Sequence, residues 1–316
     1  MSGIECIDNR WGSKRYYSLN YFLREKFGEK VVKISLDAGF SCPNRDGSIS
    51  TGGCIFCSSR GSGDFAGDRN FSITKQFERC KKIMKTKWKS SKFIAYFQAY
   101  TNTYASVDVL RKKYEEALNQ EGVVALAIAT RPDCLGTEVL ELIEEYSKKI
   151  YTWVELGLQT SSDNTAKLIN RGYKLSTFDE AIINLKNRNI DIVVHIIFGL
   201  PGESESLMIN TIKYVAAKGI SGVKIHLLHL MKETQLVKLY EEGQLRFLTK
   251  ANYVNLICDA LTLLPKNVVI HRLTGDSPRE LLIGPKWSLA KWEILNDIDK
   301  KMEQANLYQG LYYSTN

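Results

Sequence analysis

This chain lacks several of the signals by which common protein classes announce themselves. No apolar run approaches the roughly 18 residues of a membrane-crossing helix, so no membrane partner is expected. The opening stretch MSGIECIDNRWGSKRYYSLNYFLREKFG is polar and aromatic and holds no apolar core of the signal-peptide kind, so a cytoplasmic location is expected. No GxGxxG follows the first strand-like segment, which argues against a dinucleotide-binding domain. Low-complexity tracts, Gly/Ser linkers and repeats of about 20–50 residues are also missing, which excludes a solenoid reading. Cysteine is present seven times, yet only one CxxC pair occurs. In a reducing compartment these thiols read as metal ligands and bystanders, not as a disulfide framework.

What remains is the composition of a folded domain with a sizeable core. Hydrophobic residues make up 44% and charged residues 25% of 316 positions, a length that suits one α/β barrel. The net charge of +8 is compatible with a nucleic-acid partner or an anionic ligand. Spread over the whole chain, it is equally ordinary solubility. The densest basic stretch, KKIMKTKWKSSK at 81–92, reads as the exposed face and end of a helix.

Short β-branched runs alternate with helical patterns. Strands are expected at 30–37, 93–100, 124–130, 152–159, 191–200, 222–230 and 267–275, with helices at 107–120, 138–149, 178–188 and 206–219 between them. Such alternation implies right-handed crossovers and a parallel sheet. The expected fold class is α/β, a partial (β/α)6 TIM-like barrel. Its segments are an N-terminal cap (1–29), the barrel (30–285) and a C-terminal helical extension (286–316). Function in a parallel barrel gathers beyond the C-terminal ends of the strands. The unusual polar clusters fall there: the cysteine loop, QAYTNT, TRPD, LGLQTS, FGLPGESE, HLLHLM and HRLTGDSPRE. Within QAYTNT, Asn102 and Thr103 read as turn or N-cap residues.

The loop CPNRDGSISTGGCIFC carries Cys42, Cys54 and Cys57. Three thiolates suit zinc with a fourth ligand from elsewhere, for which Cys80 and Cys134 are candidates. They equally suit three irons of a [4Fe–4S] cluster with the fourth iron open. Phe56, between two of the cysteines, is either a core anchor or a contact for a ligand. Glu155 and Gln159 share one face of the fourth strand. There they either bind a ligand or form a network with Arg131 or Arg171, since buried polar groups must be satisfied. All four histidines, His195, His226, His229 and His271, fall on expected strands. His226 and His229 are three apart, so at most one of them is expected to face the cavity.

The loop resembles that of the radical S-adenosylmethionine (SAM) enzymes. Cys54-Ile55-Phe56-Cys57 keeps the second half of their cysteine spacing, while eleven residues replace the usual three in the first half. The run SLDAGFSCPNRDGSISTGGCIFCSSRGSGDFAG is similar to a bacterial family related to the elongator-type radical SAM proteins. AYFQAYTNTYA, ATRPDCL, WVELGLQT, HIIFGLPGE, KIHLLHL and HRLTGD extend the likeness over nearly the whole chain. The resemblance implies that Cys42, Cys54 and Cys57 ligate a [4Fe–4S] cluster whose open iron takes the amino and carboxylate groups of SAM. It implies SAM contacts from Phe56, Gln98, Tyr100, Thr101, Glu155, Gln159, Arg171, Ile197 and Gly199. It further implies an electron donor such as flavodoxin or ferredoxin.

For the substrate, position and chemistry single out Asp37, His229 and Asp276, the last as an acceptor for a guanine-like edge. The N-terminal Tyr16, Tyr17 and Tyr21 are further candidates. The family likeness points to a small heterocyclic base and to queuine lyase-like chemistry, with C–N cleavage releasing a 7-aminomethyl-7-deazaguanine. Modification of a base within tRNA is the alternative. A non-catalytic iron–sulfur or zinc protein that binds nucleic acid is the third reading.

Overall fold

The computed structural model describes residues 11–314; Cys6 lies outside them. Seven strands form one all-parallel row. In spatial order they are β1 (Val31–Leu36), β2 (Lys92–Phe97), β3 (Val123–Thr130), β4 (Tyr151–Gln159), β5 (Asp191–Phe198), β6 (Gly222–Leu227) and β8 (Val269–Arg272). Strand β7 (Leu230–Met231) pairs antiparallel with β9 (Leu282–Gly284) in a separate ribbon. The expected sixfold unit is met by six strand–helix crossovers, but a seventh strand, β8, extends the row. The row stays open, because β1 and β8 do not pair with each other.

Alternation along each strand builds two cores. Leu126 and Ile128 of β3, with Val154, Leu156 and Leu158 of β4, pack against the outer helices. These include α3 (Val107–Leu118), α4 (Thr137–Ser147), α6 (Leu175–Lys186) and α7 (Glu205–Ala216). Serine and threonine start several helices: Ser72 caps α2 (Ile73–Lys87), Ser204 caps α7 and Thr249 caps α9 (Lys250–Leu263), each accepting from a first-turn amide. The end of α2 carries the basic stretch, and its lysines 82, 85 and 87 are exposed as expected.

The inner face is different. Ala125, Ala127 and Ala129 leave space, and Ile94 and Trp153 fill part of it together with Leu23. Leu23 belongs to α1 (Leu19–Phe27), which touches both edge strands, β1 and β8. The cap segment is fastened by Ile270 N donating to Tyr17 O at 2.7 Å and by Tyr17 N donating to Gln309 Oε1 at 2.8 Å. Residues of the 1–29 and 286–316 segments therefore meet across β8. Tyr16 is buried in the outer core, and Tyr17 stacks on Trp11 and meets Tyr21 edge-on. None of these three tyrosines lines the cavity described below, which corrects the expectation that they reach a substrate. The α1 helix turns its other side, through Leu19, to that cavity.

Leu23 is 3% exposed and plugs the open barrel. Leu23→Ala is expected to cost about 2–5 kcal/mol of stability, since it empties a packed site. Urea denaturation measures this.

Candidate active site

A cavity of about 730 Å³ opens above the C-terminal ends of the strands. Cys42, Cys54 and Cys57 all line it, and all three are free thiols. The long gap between the first two is a closed loop. Arg45 N and Asp46 N donate to Cys42 O, Ile49 N donates to Pro43 O, and Gly53 N returns to Asn44 O at 2.6 Å. Asn170 braces it from the α5 side (Asp163–Leu168) by donating to Gly53 O. Asn44 Nδ2 donates to Asn170 O at 2.6 Å and lies 3.6 Å from Cys54 Sγ. Eleven residues thus bring Cys42 back to the CxxC pair. Ile55 is buried in an apolar cluster, whereas Phe56 packs against that cluster and faces the cavity.

Burial pushes the Cys54 thiol up to about 12 and raises Cys57 as well, with the Arg45 guanidinium pulling Cys57 the other way. Arg45 was not singled out from sequence. It donates to Cys57 O and Ser58 O at 2.9 and 2.6 Å. Thiols held protonated by burial ionise on binding a metal, which supplies the charge that the protein withholds. Among the described residues no three His, Cys, Asp or Glu converge on one ion. Cys80 packs on the outer core, and Cys134 faces a separate shallow pocket, so neither completes a zinc site. Cys258 is buried in α9.

The exit from β2 grips the loop that follows the cysteines. Gln98 Nε2 donates to Ser62 O at 2.8 Å, and the Tyr100 hydroxyl donates to Ser59 O. Tyr100 adopts φ 58, a left-handed conformation that a tyrosine takes only under constraint. Gly61, at φ 58, makes this possible, since any Cβ there would enter the Tyr100 ring. Asn102 and Thr103 lie in a turn, one of the two roles expected, and do not cap a helix; their side chains bond Phe97 O, Ala129 O, Thr130 and Cys134 O, tying the exits of β2 and β3 together. Thr101 lines the cavity, is fully buried, and its Oγ1 has no partner. Buried hydroxyls are rarely left so.

Arg171 is placed differently from expectation. It borders the cavity, but four of its five N–H donors are spent on Tyr173 O, Leu158 O, Thr160 O and Asp163. Arg131 is likewise held by Asp133 and Arg171 O. Both arginines build the wall, and neither reaches Glu155. Gln159 and Ile197 face the cavity. Gly199 does not; its φ of 88 turns the chain away, and its amide points at Met208 Sδ.

On the floor the expected Glu155 and His195 are joined by Lys33, Lys224, Tyr96 and Trp153, which were not singled out from sequence. The Glu155 carboxylate takes Lys33 Nζ at 3.3 Å, Trp153 Nε1 at 2.9 Å and His195 Nε2 at 2.9 Å, and also pairs with Lys224. Lys224 further donates to the Tyr96 hydroxyl at 3.1 Å. Burial pushes the Glu155 carboxyl up, but Lys224, Lys33 and His195 outweigh it and hold it well below the usual carboxylate range. Burial in turn lowers both lysines. The signal was readable: a strand buried on both faces should be apolar throughout, and KVVKISLD and GVKIHLLHL each set a lysine in the middle.

All four histidines line the cavity, which corrects the expectation for His226 and His229. Strand β6 ends at Leu227, so the two-residue alternation no longer governs His229. Burial holds His195 and His229 at about 4 and lowers His226 and His271 well below the usual value. Asp276 also lines the cavity, but Lys291 at 2.8 and 2.9 Å and Arg272 at 3.2 Å occupy its carboxylate. Asp37 is off the cavity altogether, buried against Arg69 and the Gly39 amide.

Residues 46–215 match the radical SAM superfamily, and residues 220–304 match the radical SAM C-terminal domain. The chain belongs to the radical SAM superfamily. It is 51% identical over 300 residues to Bacillus subtilis (strain 168) protein YtqA, covering 95% of this chain and 93% of that one. It is 29% identical over 162 residues to a tRNA uridine(34) acetyltransferase of Dehalococcoides mccartyi, which spans 50% of this chain and 35% of that enzyme. Its fold matches the structure of Methanocaldococcus infernus Elp3 lacking residues 1–46, with a TM-score of 0.69 and 19% identity over 88% of this chain and 64% of that one. These findings bear out the kinship with elongator-type proteins and the half-barrel fold. Membership makes the chain an enzyme scaffold, so the non-catalytic zinc or iron–sulfur reading falls away. No helix among the described residues is long and apolar enough to cross a membrane.

Radical SAM proteins use a [4Fe–4S] cluster and SAM. The residues present fit that pair: three free thiols face one cavity, and the unpartnered Thr101 hydroxyl sits beside them.

Two outcomes test this electrostatic floor. Glu155→Gln leaves Lys224 buried and Lys33 half-buried without their counter-ion and is expected to cost about 3 kcal/mol in urea denaturation. His195 and His229 titrate near 4 when folded against 6.5 as the ordinary value, so below pH 6.5 the unfolded chain binds more protons. Stability is expected to fall as pH drops from 6.5 towards 4, and His229→Gln should flatten part of that slope.

Proposed function

We propose that this chain is a radical SAM enzyme acting on a base of tRNA. The observation that carries the reading is the cavity lining, where free thiols at the rim stand over a floor on which Lys and Arg outnumber Asp and Glu. A cationic cavity suits a base carried by a polyanion. Phe65, on the loop after the cysteines, lines the mouth and is 58% exposed, which offers a ring for a base to stack on. The name of the D. mccartyi relative supplies the same substrate class, tRNA, although acetyl transfer is not part of this proposal.

In this reading Cys42, Cys54 and Cys57 ligate the cluster. Thr101 and Gln159 offer polar contacts to SAM, while Phe56 and Ile197 supply an apolar wall. Gln98 and Tyr100 act by holding the loop that carries Ser59 and Ser62 over the cavity. Arg45 fixes the carbonyls of Cys57 and Ser58 and sets a positive charge beside the thiolates. When bound, the cofactor pair would supply hydrogen-atom abstraction through a 5′-deoxyadenosyl radical. A one-electron donor such as flavodoxin or ferredoxin is the required partner. The inner-face Ala, Tyr96, Trp153 and neutral histidines keep bulk water from the reacting atoms.

Queuine lyase chemistry on a free base rests on family likeness alone. Asp276, the carboxylate that would read a guanine-like edge, is already paired with Lys291 and Arg272.

Anaerobically reconstituted protein should hold about four irons and form 5′-deoxyadenosine from SAM and dithionite. That yield is expected to rise several-fold with tRNA from cells lacking this protein and not with queuine; the reverse pattern would reinstate the lyase. Cys54→Ala should abolish both iron loading and SAM cleavage.

A further inference from the structure

The floor of the cavity carries more positive charge than its own carboxylates balance. Lys33 sits mid-strand in β1, Lys224 mid-strand in β6 and Arg272 at the end of β8, and all three line the cavity. Among the described residues Glu155 is the one carboxylate that meets the two lysines, so two basic side chains stand against a single acid. At the rim, Asp276 is shared between Arg272 and Lys291, which again leaves one cation in excess. The four histidines of the cavity add no negative charge and are held neutral by burial.

The donors are also unspent. Lys33 makes one hydrogen bond of the three its ammonium offers. Arg272 is engaged through Nη2 alone. His226 Nε2, His229 Nε2 and His271 Nδ1 are buried with no partner among the described residues. Basic side chains and unpaired polar atoms in a low-dielectric recess are costly without a partner. The recess runs from Lys33 and Lys224 in mid-strand to Arg272 at the end of β8, whereas the thiols stand on the loop beyond β1.

We infer that Lys33, Lys224 and Arg272, with the unpaired imidazoles around them, form a subsite for a carboxylate borne by the substrate base. This deepens the reading of a tRNA base as substrate and rests on it. Glu155 is then a positioning residue: it anchors the two lysines and fixes where their remaining N–H groups point. The carboxylate of the base would enter between the lysines and Arg272 and hold the base with its reacting carbon towards the rim.

The test uses an isosteric pair, 5-carboxyuridine and 5-carbamoyluridine, which differ in charge and hardly in shape. Calorimetric titration of the reconstituted, SAM-bound protein is expected to show the acid binding about tenfold or more tighter than the amide, the worth of a charge-assisted hydrogen bond. Arg272→Gln, at a side chain 33% exposed at the end of β8, and Lys33→Gln should each collapse that ratio towards one, with melting curves confirming that the variants fold. Equal binding of acid and amide by the unaltered protein would overturn the subsite. So would competition between 5-carboxyuridine and SAM, which would give the floor to the cofactor. Stimulation of SAM cleavage by tRNA without acid–amide discrimination removes the subsite and leaves the tRNA reading standing. Discrimination with inert tRNA keeps the subsite and removes the tRNA reading.

Discussion

One buried carboxylate organises the interior of this half-barrel. Glu155 is 1% exposed and gathers Lys33 from β1, His195 from β5 and Lys224 from β6, while Lys224 passes the connection to Tyr96 on β2. Taking an ion out of water costs several kcal/mol, and only close, fully bonded partners offset that. The strands must therefore hold their register for the network to exist. A slip of one residue would turn Glu155 into the apolar outer core and leave both lysines without a counter-charge.

That constraint also divides the cavity into two chemical halves. Above, around the cysteine loop, the protein presents free thiols, the unpaired Thr101 hydroxyl and an aromatic side chain. Below, it presents fixed charge and neutral imidazoles. The upper half is built from loops pinned by backbone bonds, such as the return from Gly53 to Asn44 and the clasp of Tyr100 on Gly61. The lower half is built from strand side chains, whose directions follow from the pleat. Rigid floor and loop-borne rim are the usual division of labour in barrel enzymes, where chemistry sits on loops and stability in the sheet.

Much of the fold was legible in the chain. The seven strands and the intervening helices stand close to where alternation and 3.6-residue periodicity place them, because local pattern and tertiary burial agree there. The open edge between β1 and β8 and the plugging role of α1 were less legible. Both depend on which edges meet, a long-range matter. In the site, the cysteine loop was plain from spacing and turn residues. Arg171 and Asp276 looked free as charged residues near strand ends, yet the fold spends them on backbone carbonyls and neighbouring ions. His229 escaped the strand rule because β6 stops two residues earlier.

By itself, the sequence determined the kind of chemistry: a CxxC with an outlying cysteine in a parallel α/β chain, and polar clusters confined to one end of the strands. Those are local patterns, written in spacing and periodicity. Only the tertiary structure decided which polar groups are spent and which are open. Lys33, Glu155 and Lys224 are more than a hundred residues apart from first to second and about seventy from second to third. Nothing in their neighbours reveals that they meet. Their meeting is set by sheet order and register, and burial then turns three ordinary side chains into a charged floor.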